Sequence, residues 1–398
     1  MMLATVLRFA TRCARVETER EPGDLECRSP TEVASVLMYP RLSFSIIAFA
    51  LFMVTTPRES MTAEPTTTVS ATAGAAARPE LPGSMRAAAF DKIGEPDVLA
   101  IHTLPVPVPA ADEVLIAVHT AGVAIWDADI RRKLSYVQNP HFPFILGSDG
   151  SGTVAAVGSA VTRFQVGDLV YSYNWNNPKG GFYAEYVAVP AIRVARLPNG
   201  MALDHAGALG VSGLTALSGI DEALHLKAGE TLIIHGASGA VGTLAVQLAK
   251  LRGARVLATA SGDDGVELVR RLGADASVEG RKGDIAAAAR TFAPEGADAV
   301  LALASGDALD RCIAALRPGG RLAFPRGVSP EPTARNGFTV IPYDASYDAP
   351  AFERLNQAIQ GHKFEVPIAA EFKLADAAKA HQRLEAGHVL GKIVLRLR

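Results

Sequence analysis

The amino-acid sequence predicts an α/β protein in which a small, strongly curved β-rich domain precedes a doubly wound parallel sheet. Three observations carry this prediction. The 398-residue chain is longer than one hydrophobic core usually supports, so two domains are expected. Residues 85–200 alternate short β-branched runs with glycines. After Pro198, apolar strand-like runs alternate with amphipathic helical runs, which is typical of parallel α/β sheets.

The composition restricts the classes of partner. Hydrophobic residues make up 49% of the chain and charged residues 20%, as in globular proteins, and the formal net charge of -2 provides no basic surface for nucleic acid. We therefore expect a small-molecule partner and no nucleic acid. The three cysteines, Cys13, Cys27 and Cys312, are too few for a disulfide framework. This fits a reducing compartment, and a cytoplasmic location is the expectation.

Residues 1–84 differ from the rest and are predicted to be a disordered or targeting N-terminal extension. The segment from Leu42 to Thr56 ("LSFSIIAFALFMVTT") is apolar but shorter than the roughly 20 residues of a membrane-spanning helix. Three explanations stay open: the core of a signal peptide, a weak membrane anchor, or a protein that truly begins at Met61 or Met85. Export or membrane anchoring is thus the alternative location, and membrane contact is expected only if this segment is retained.

The β-rich domain is predicted to cover residues 85–205. "MRAAAF" (85–90) and "EVLIAVHTAGV" (113–123) are predicted strands. The prolines of "LPVPVPAAD" (104–112) exclude a helix and leave an extended edge or loop between them. Short strands punctuated by glycine are predicted over 146–173.

The parallel sheet is predicted to lie within residues 206–344. Helical spacing follows Pro198, and a turn is expected at "RPGG". The predicted strands and helices then alternate in the order strand 231–235, helix 241–252, strand 255–259, helix 265–272, strand 298–304, helix 308–316, strand 320–325 and strand 338–343. Residues 345–398 form a helix-helix-strand tail that is expected to return to the first domain.

A glycine-rich turn joins the first of these strands to its helix. The glycines are Gly236, Gly239 and Gly242, with a first gap one residue wider than Gly-x-Gly-x-x-Gly. A strand that ends in such a turn presents unpaired N–H groups and the positive end of a helix dipole at one point, which suits a phosphate. Because a βαβ unit surrounds the motif, a dinucleotide site is preferred to a plain turn.

The end of the second strand discriminates between NAD and NADP. An NAD site expects Asp or Glu there to hold the ribose 2′-OH. The sequence instead has Thr259, Ala260 and Ser261, and a serine hydroxyl can hydrogen-bond a 2′-phosphate. NADP is therefore favoured, although Asp263 and Asp264 follow closely and would repel a phosphate if they faced it.

Residues 85–398 resemble the medium-chain dehydrogenase/reductase superfamily, in its zinc-independent quinone oxidoreductase-like branch. The motifs that carry the resemblance, in order along the chain, are "MRAAAF…GEPDVL", "AGV…D…IR", "FPFILGSDGSGTV", "VGDLVY", "GGFYAEYVAVP", "GALGVSGLTAL", "IIHGASGAVG", "LRPGGRL" and "GHVLGKIVL". The resemblance implies an α/β fold made of a GroES-like β-rich catalytic domain plus a Rossmann doubly wound parallel sheet domain.

Zinc is not expected. A catalytic zinc site needs about three Cys, His or carboxylate ligands. Zinc-dependent relatives carry a Cys where this chain has Ala124, and Gly-His-Glu where it has Gly147, Ser148 and Asp149. Isolated His141 and His205 are more typical of surface or capping residues than of ligands.

Without a metal, the acceptor should already be electrophilic, and the resemblance implies NADPH-dependent hydride transfer to a quinone or an activated α,β-unsaturated carbonyl. It also implies positions along the nicotinamide, pyrophosphate and 2′-phosphate. The residues expected to bind the cofactor are Thr215, Gly236, Ala237, Ser238, Gly239, Ala240, Val241, Gly242, Thr259, Ser261, Phe324 and Gly327. The alternatives are that Thr215 only hydrogen-bonds its own helix and that Phe324 belongs to the core.

Trp126, Asp127 and Tyr173 are the expected catalytic residues. The family often shows Gly-Val-Asn-Pro-x-Asp followed by an aromatic, whereas this chain reads "GVAIWDADIR", so a polar group of the cleft is lost and Trp126 has appeared. Asp127 is retained, with helix capping as its alternative role. Tyr171, Tyr173 and Trp175 are a possible stacking platform for a flat acceptor, with core packing as the alternative. A family lysine after the second strand is replaced by "GVE" (265–267), which weakens the argument for NADP.

Two other functions stay open. An enoyl-thioester reductase of the same superfamily would want a basic patch for coenzyme A, for which Arg131, Arg132 and Lys133 are the candidates. A non-catalytic NADP-binding sensor or structural protein is the alternative from a different class. The resemblance also implies a homodimer through the Rossmann domain, paired along "GFTVIPY" (337–343).

Overall fold

Three β-sheets organise the described part of the chain, which is residues 81–398 without 136, 138–139 and 334–336 in this computed structural model. One sheet is parallel, and the other two are built mainly from antiparallel pairs. The strands are β1 (Ser84–Phe90), β2 (Ala100–Pro105), β3 (Glu113–Val123), β4 (Phe144–Ile145), β5 (Asp149–Val157), β6 (Leu169–Tyr173), β7 (Tyr186–Pro190), β8 (Val194–Arg196), β9 (Thr231–His235), β10 (Arg255–Ala260), β11 (Ala276–Glu279), β12 (Ala297–Ala302), β13 (Leu316–Pro325), β14 (Thr339–Tyr343), β15 (Ile368–Lys373) and β16 (Lys392–Arg396).

The helices lie mostly between the strands of the parallel sheet. In the described residues the α-helices are α1 (Ile125–Lys133), α2 (Leu203–Ala206), α3 (Gly210–Leu217), α4 (Ala240–Leu251), α5 (Gly262–Arg271), α6 (Ile285–Phe292), α7 (Asp307–Ile313), α8 (Ala349–Ile359) and α9 (Ala377–Glu385). A π-helical segment, Ser218–Ala223, continues α3, and 3-10 turns occupy Pro96–Val98, Ala191–Arg193 and Leu374–Asp376.

The parallel sheet has the strand order β11-β10-β9-β12-β13-β14. Numbered from its first strand, this is 3-2-1-4-5-6, the order of a dinucleotide-binding doubly wound sheet. The central strand β9 is buried along its whole length because helices cover both faces. In this topology ligands bind at the carboxyl ends of the strands where the order reverses, which here lies between β9 and β12.

The second part of the fold is centred on β3. This strand pairs antiparallel with β5, β7 and β16, and the sheet order is β15-β16-β3-β5-β6-β8 with β7 attached to β3. Strands β15 and β16 come from the end of the chain, so the tail returns to the β-rich part. A smaller sheet has the order β2-β1-β4. The predicted α/β class with a GroES-like and a Rossmann-like part is confirmed.

Most predicted elements are present with small shifts of their ends, and β3 and β9 have the predicted bounds. The turn predicted at "RPGG" is wrong, because these residues lie inside β13, where Gly319 takes a φ of +75°. The first two residues of the predicted loop 104–112 belong to β2. No separate element was predicted for β2, β4, β7, β8, β11, β15, α1 or α6.

The segment from Leu42 to Thr56 and the rest of residues 1–80 lie outside the described residues. Within residues 81–398, apart from the short gaps, no helix has both the length and the apolar character needed to cross a membrane.

Candidate active site

The glycine-rich turn lies at the carboxyl end of β9, where the strand order of the parallel sheet reverses. The strand ends at His235, Gly236 turns the chain with a φ of +81°, and α4 begins at Ala240. A positive φ of this size is strained for residues with a Cβ atom, which explains glycine at position 236. The first-turn N–H groups of α4 have no acceptor within the helix and point to the same place as its positive dipole end. The arrangement suits a pyrophosphate.

The other two glycines of the motif have different reasons. A Cβ atom at Gly242 would lie 2.4 Å from the carbonyl oxygen of Gly236 and 2.6 Å from the Cα atom of Ala237. Helix α4 therefore packs directly on the turn only because residue 242 has no side chain. A Cβ atom at Gly239 would meet only the carbonyl oxygen of Gly236, at 3.6 Å. The space beside Gly239 is therefore not needed for packing.

Thr259, at the end of β10, holds the turn in place. Its Oγ1 atom lies 2.8 Å from Nδ1 of His235 and accepts a long hydrogen bond, 3.4 Å, from the N–H of Gly236. Its carbonyl oxygen accepts a bond of 2.9 Å from the N–H of Ala237. The Thr259 side chain is buried. Burial lowers the pKa of His235, so this imidazole is neutral at pH 7 and serves the local hydrogen bonds.

Ser261, the residue predicted to contact the 2′-phosphate, immediately precedes α5. The N–H of Ser261 donates to Oγ of Ser238 over 3.1 Å, so this residue is tied to the glycine-rich turn. Its own Oγ lies 3.0 Å from Nδ1 of His388, and Nε2 of His388 lies 2.9 Å from Oδ2 of Asp264. Nothing local in the sequence identified His388 as part of this site, because it lies 127 residues further along the chain.

Asp127 is buried at the start of α1. Its Oδ2 accepts hydrogen bonds from the N–H of Ala124 at 2.9 Å and from the hydroxyl of Tyr183 at 3.2 Å, while Oδ1 accepts a long bond, 3.4 Å, from the N–H of Gly147. Burial raises the pKa of Asp127 to about 7, against the opposing effect of the Ala124 hydrogen bond. This geometry matches the capping role that the sequence left as the alternative.

Trp126 forms part of the wall beside Asp127. Its Nε1 donates to Oγ of Ser148 over 3.1 Å, and its ring meets that of Trp175 edge to face with 5.7 Å between centroids. Both Trp126 and Asp127 line a cavity of about 30 Å³ that also includes Asn174 and Trp175. Trp126 and Asp127 are neighbours in the chain, and the third predicted catalytic residue, Tyr173, is not among the residues that line this cavity.

A buried ion pair, Lys392 with Asp149, lies next to the ring of Trp126. Nζ of Lys392 is 3.5 Å from Oδ2 of Asp149 and 5.7 Å from the ring centre of Trp126. Burial raises the pKa of Asp149, and the charge of Lys392 opposes this shift. Asp149 is the one carboxylate at the positions where zinc-dependent relatives carry their ligands. Its Oδ1 has no hydrogen-bond partner in the described part of the chain. Among those residues, no group of three or more His, Cys, Asp or Glu side chains is arranged to hold a metal ion.

Tyr173 ends β6 and packs against the loop before α8. Its ring meets Tyr347 edge to face at 5.2 Å, and the guanidinium of Arg193 lies 4.9 Å from the centre of the Tyr347 ring. Burial raises the pKa of the Tyr173 hydroxyl, so it stays protonated. Tyr171 was expected in the same platform, but it is fully buried and its hydroxyl donates to Asn356 over 2.8 Å. That expectation is wrong because Tyr171 is packed in the core, where its ring meets Phe352 edge to face with 5.3 Å between centroids.

Thr215 and Phe324 have the geometry of their alternative roles. The hydroxyl of Thr215 donates to the carbonyl oxygen of Val211, one turn earlier in α3, over 2.8 Å. Phe324 is 2% exposed and belongs to the core under the parallel sheet. Gly327 has a φ of +102° and open space around its Cα atom. Helix α3 itself starts at the site, because the N–H of Val211 lies 3.4 Å from Oδ2 of Asp149.

Four residues that the sequence offered as charged or ligand-like candidates have other surroundings. Arg131 is fully buried, where it donates to Glu385 over 2.6 Å, and Arg132 contacts the same carboxylate at 2.9 Å. The proposed basic patch is therefore wrong for Arg131, whose charge is compensated inside the fold. His205 Nδ1 lies 3.0 Å from the carbonyl oxygen of Val366, and His141 lines an apolar cavity of about 890 Å³ remote in the chain from the glycine-rich turn.

Comparison with known proteins agrees with this architecture. A family model described as the alcohol dehydrogenase GroES-like domain matches residues 110–199, and one described as zinc-binding dehydrogenase matches residues 240–343. A quinone oxidoreductase of Mus musculus is 30% identical over 328 residues, which covers 79% of this chain and 98% of the relative.

Solved structures give the same result. The quinone oxidoreductase of Coxiella burnetii is 29% identical with a TM-score of 0.69, and covers 79% of this chain and 100% of its own. A mycobacterial protein solved in complex with NADPH is 30% identical with a TM-score of 0.69, at the same coverage.

Proposed function

The chain belongs to the quinone oxidoreductase-like branch of the medium-chain dehydrogenase/reductase superfamily, and from this premise we propose that it is an oxidoreductase that uses NADPH to reduce a quinone or an activated α,β-unsaturated carbonyl without a metal ion. The observation that carries the proposal is the glycine-rich turn at the reversal of strand order, where the space beside Gly239 is open and the first amides of α4 converge.

The cofactor fits the residues at this turn. The first-turn amides of α4 would hold the pyrophosphate, and Gly239 would allow its close approach. Ser261, tied to the turn through Ser238, would hydrogen-bond the 2′-phosphate. When bound, NADPH supplies a hydride from its nicotinamide ring. We assign the role of Thr259 to the shape of the turn, since its hydroxyl is committed to His235 and Gly236.

The side chains present support a reaction without zinc. Of the positions that hold ligands in zinc-dependent relatives, Ala124 and Ser148 offer no strong zinc ligand, and Asp149 is paired with Lys392. A catalytic zinc ion needs about three protein ligands. An acceptor that needs no Lewis acid, such as a quinone or an enone, suits this set of residues best.

The protein must then place the acceptor and stabilise the oxygen on which negative charge develops. Tyr173 is a suitable donor, because its hydroxyl stays protonated and its ring forms an aromatic wall with Tyr347 for a flat acceptor. The acceptor gains a hydride and a proton, so a quinone becomes a hydroquinone. We assign Asp127 a positioning role, since its carboxylate holds the start of α1 and thereby the Trp126 wall.

The test uses the full-length protein. Fluorescence titration with NADPH and with NADH measures affinity, and absorbance at the nicotinamide band is then followed after 1,4-benzoquinone is added. The proposal expects tighter binding of NADPH and its oxidation by the quinone. Binding of NADPH without oxidation by quinones or enones would instead support the sensor function, and a preference for NADH would contradict the reading of Ser261.

A pair of tyrosine variants tests the donor. Tyr173→Phe should lower kcat about 100-fold, as expected for loss of one hydrogen bond to a developing oxyanion, and leave NADPH affinity unchanged. Tyr186→Phe, on β7, is the matched control and should keep wild-type kcat. Equal kcat values for both variants would exclude Tyr173 from catalysis.

We also propose a homodimer through β14. This strand is the last in the order of the parallel sheet, so its outer edge is available for pairing with a second copy across a two-fold axis. Light scattering of the purified protein gives the mass, and a monomer at micromolar concentration would contradict the proposal.

A further inference from the structure

The tail of the chain runs across the glycine-rich turn just before β16. The N–H of Gly391 donates to the carbonyl oxygen of Ser238 over 3.0 Å, and Gly391 forms a parallel bridge with Gly239. These contacts place the residues immediately before Gly391 next to the end of β10. His388 is the member of this segment that reaches Ser261.

The His388 side chain is held between two groups of the predicted 2′-phosphate site. Nδ1 faces Oγ of Ser261 at 3.0 Å, and Nε2 faces Oδ2 of Asp264 at 2.9 Å. The backbone supports this placement, because the guanidinium of Arg383 donates to the carbonyl oxygens of Gly387 and His388 over 2.8 and 3.0 Å. The φ of His388 is +49°, an uncommon conformation for a residue with a Cβ atom.

We propose that His388 determines cofactor specificity: its protonated form offsets the Asp264 carboxylate and donates to the 2′-phosphate beside Ser261, so the preference for NADPH over NADH depends on the charge of this imidazole. This inference rests on the proposed NADPH-dependent function. A positive charge on His388 would compensate the Asp264 carboxylate, which lies close to Ser261 and would otherwise repel a phosphate.

The charges at the site give the direction in which His388 changes the preference for NADPH over NADH. A 2′-phosphate carries about -1.5 to -2 charges near neutral pH, by analogy with other phosphomonoesters. The hydrogen bond from His388 lowers the pKa of Asp264, so this carboxylate is ionised across the range of interest. With His388 protonated, the Asp264–His388 pair is neutral. When His388 is neutral, the pair carries one negative charge, which opposes the phosphate of NADPH and leaves the uncharged 2′-OH of NADH unaffected.

Other charged groups lie around His388 and Ser261. Arg383 is on α9 and Asp263 is beside Asp264 on α5. Glu279, at the end of β11, accepts from the N–H of Gly262 over 3.2 Å, and backbone bonds hold its pKa low. The guanidinium of Arg311 donates to the carbonyl oxygen of Gly280 over 3.2 Å.

The experiment measures the ratio of the Kd for NADH to the Kd for NADPH, by fluorescence titration of the full-length protein at several pH values between about pH 6 and pH 8.5. For wild type the ratio should fall about five- to tenfold over this range, the size expected for one charge in a partly exposed site. His388→Gln should show a low ratio with a much weaker pH dependence. Titration of the 2′-phosphate itself is common to both proteins and cancels in the comparison.

The control is His102→Gln. His102 forms a similar exposed pair, with Nε2 3.5 Å from Oδ2 of Asp91, but on β2 in the small sheet. This variant should keep the wild-type ratio at every pH. Asp264→Asn provides a second test, because removal of the carboxylate should tighten NADPH binding at about pH 8 several-fold and leave NADH unchanged.

The outcomes separate this inference from the proposed function. If wild type prefers NADPH but His388→Gln shows the same ratio and the same pH dependence, the role of His388 is refuted while the proposed function stands. If wild type binds neither cofactor, or prefers NADH throughout, both are refuted.

Discussion

A methyl group at Gly242 has no room in the structure, which makes Gly242→Ala a direct test of the glycine-rich turn. The added Cβ atom would lie 2.4, 2.6 and 2.7 Å from backbone atoms of Gly236 and Ala237. Backbone atoms cannot swing aside as a side chain can, so either α4 or the turn has to move.

The magnitude follows from two opposing effects. Alanine is favoured over glycine inside a helix by up to about 1 kcal/mol. Overpacking of a tight contact costs about 1–3 kcal/mol. The contact distances are well inside van der Waals range, so the clash prevails, and the net loss in the free energy of unfolding is about 1–2 kcal/mol. For a protein of this size, we expect the Tm of the cofactor-free protein to fall by about 2–6 °C.

Gly239→Ala is the matched control within the same motif. Its Cβ atom would meet only one protein atom, at 3.6 Å, and the φ of -79° is normal for alanine. The free energy of unfolding should change by about 0.5 kcal/mol or less, which reflects the modest difference between glycine and alanine at a helix start. The methyl group would instead occupy the space that we assign to the pyrophosphate, so the Kd for NADPH should rise by about tenfold or more.

Thermal unfolding followed by circular dichroism, together with NADPH titration, distinguishes the two variants. The reasoning requires that Gly242→Ala loses stability and that Gly239→Ala loses affinity while it keeps its Tm. A Gly242→Ala protein with wild-type Tm and wild-type affinity would refute the packing argument. A Gly239→Ala protein that binds NADPH normally would refute the assignment of the pyrophosphate.

Two further predictions concern buried polar groups. Burial raises the pKa of Asp127 from 3.8 to about 7, so the folded protein holds a proton that the unfolded chain releases. The free energy of unfolding of wild type, relative to Asp127→Asn, should therefore fall as pH rises from about 4 to about 7. Urea denaturation at several pH values measures this difference, and parallel pH profiles for the two proteins would contradict the prediction. Thr259→Val should lower the free energy of unfolding by about 1–3 kcal/mol, because the N–H of Gly236 and the imidazole of His235 lose their hydrogen-bond partner. Thr243→Val removes one hydroxyl bond to a carbonyl oxygen of its own helix and should lower it by less than about 1 kcal/mol. Equal urea midpoints for the two variants would contradict the role of Thr259 in supporting the turn.

Local pattern was sufficient for the elements whose cause is local. Strand β9 is a short apolar run followed by glycine, and β3 is a β-branched run bounded by loop residues, so their bounds could be predicted from hydrophobic pattern and turn chemistry. The glycine-rich turn belongs with them, because a positive φ at Gly236 is a property of the backbone at that residue. The turn predicted at "RPGG" failed because the outcome there depends on the surroundings: these residues lie inside β13, although the pairing with β12 passes directly from Leu316 to Arg321.

Side-chain roles were less accessible for a physical reason. Whether an aspartate caps a helix or faces a cleft depends on which groups pack around it, and Asp127 is surrounded by Tyr183 and Gly147 from other elements. Likewise Arg131 looks like part of an exposed basic run until Glu385, 254 residues away, is found beside it. Tyr171 and Tyr173 are two residues apart on β6, yet one is core and the other is partly accessible.

The sequence by itself determined the α/β class, the parallel sheet, the position of the glycine-rich turn and the family, because these depend on hydrophobic period, glycine geometry and the order of motifs. Only the tertiary structure decided which distant groups meet at the site. His388 reaches Ser261 and Lys392 reaches Asp149 because the tail crosses the turn and adds β16 to the sheet of β3. Such contacts join residues far apart in the chain, and no local preference of the backbone encodes them.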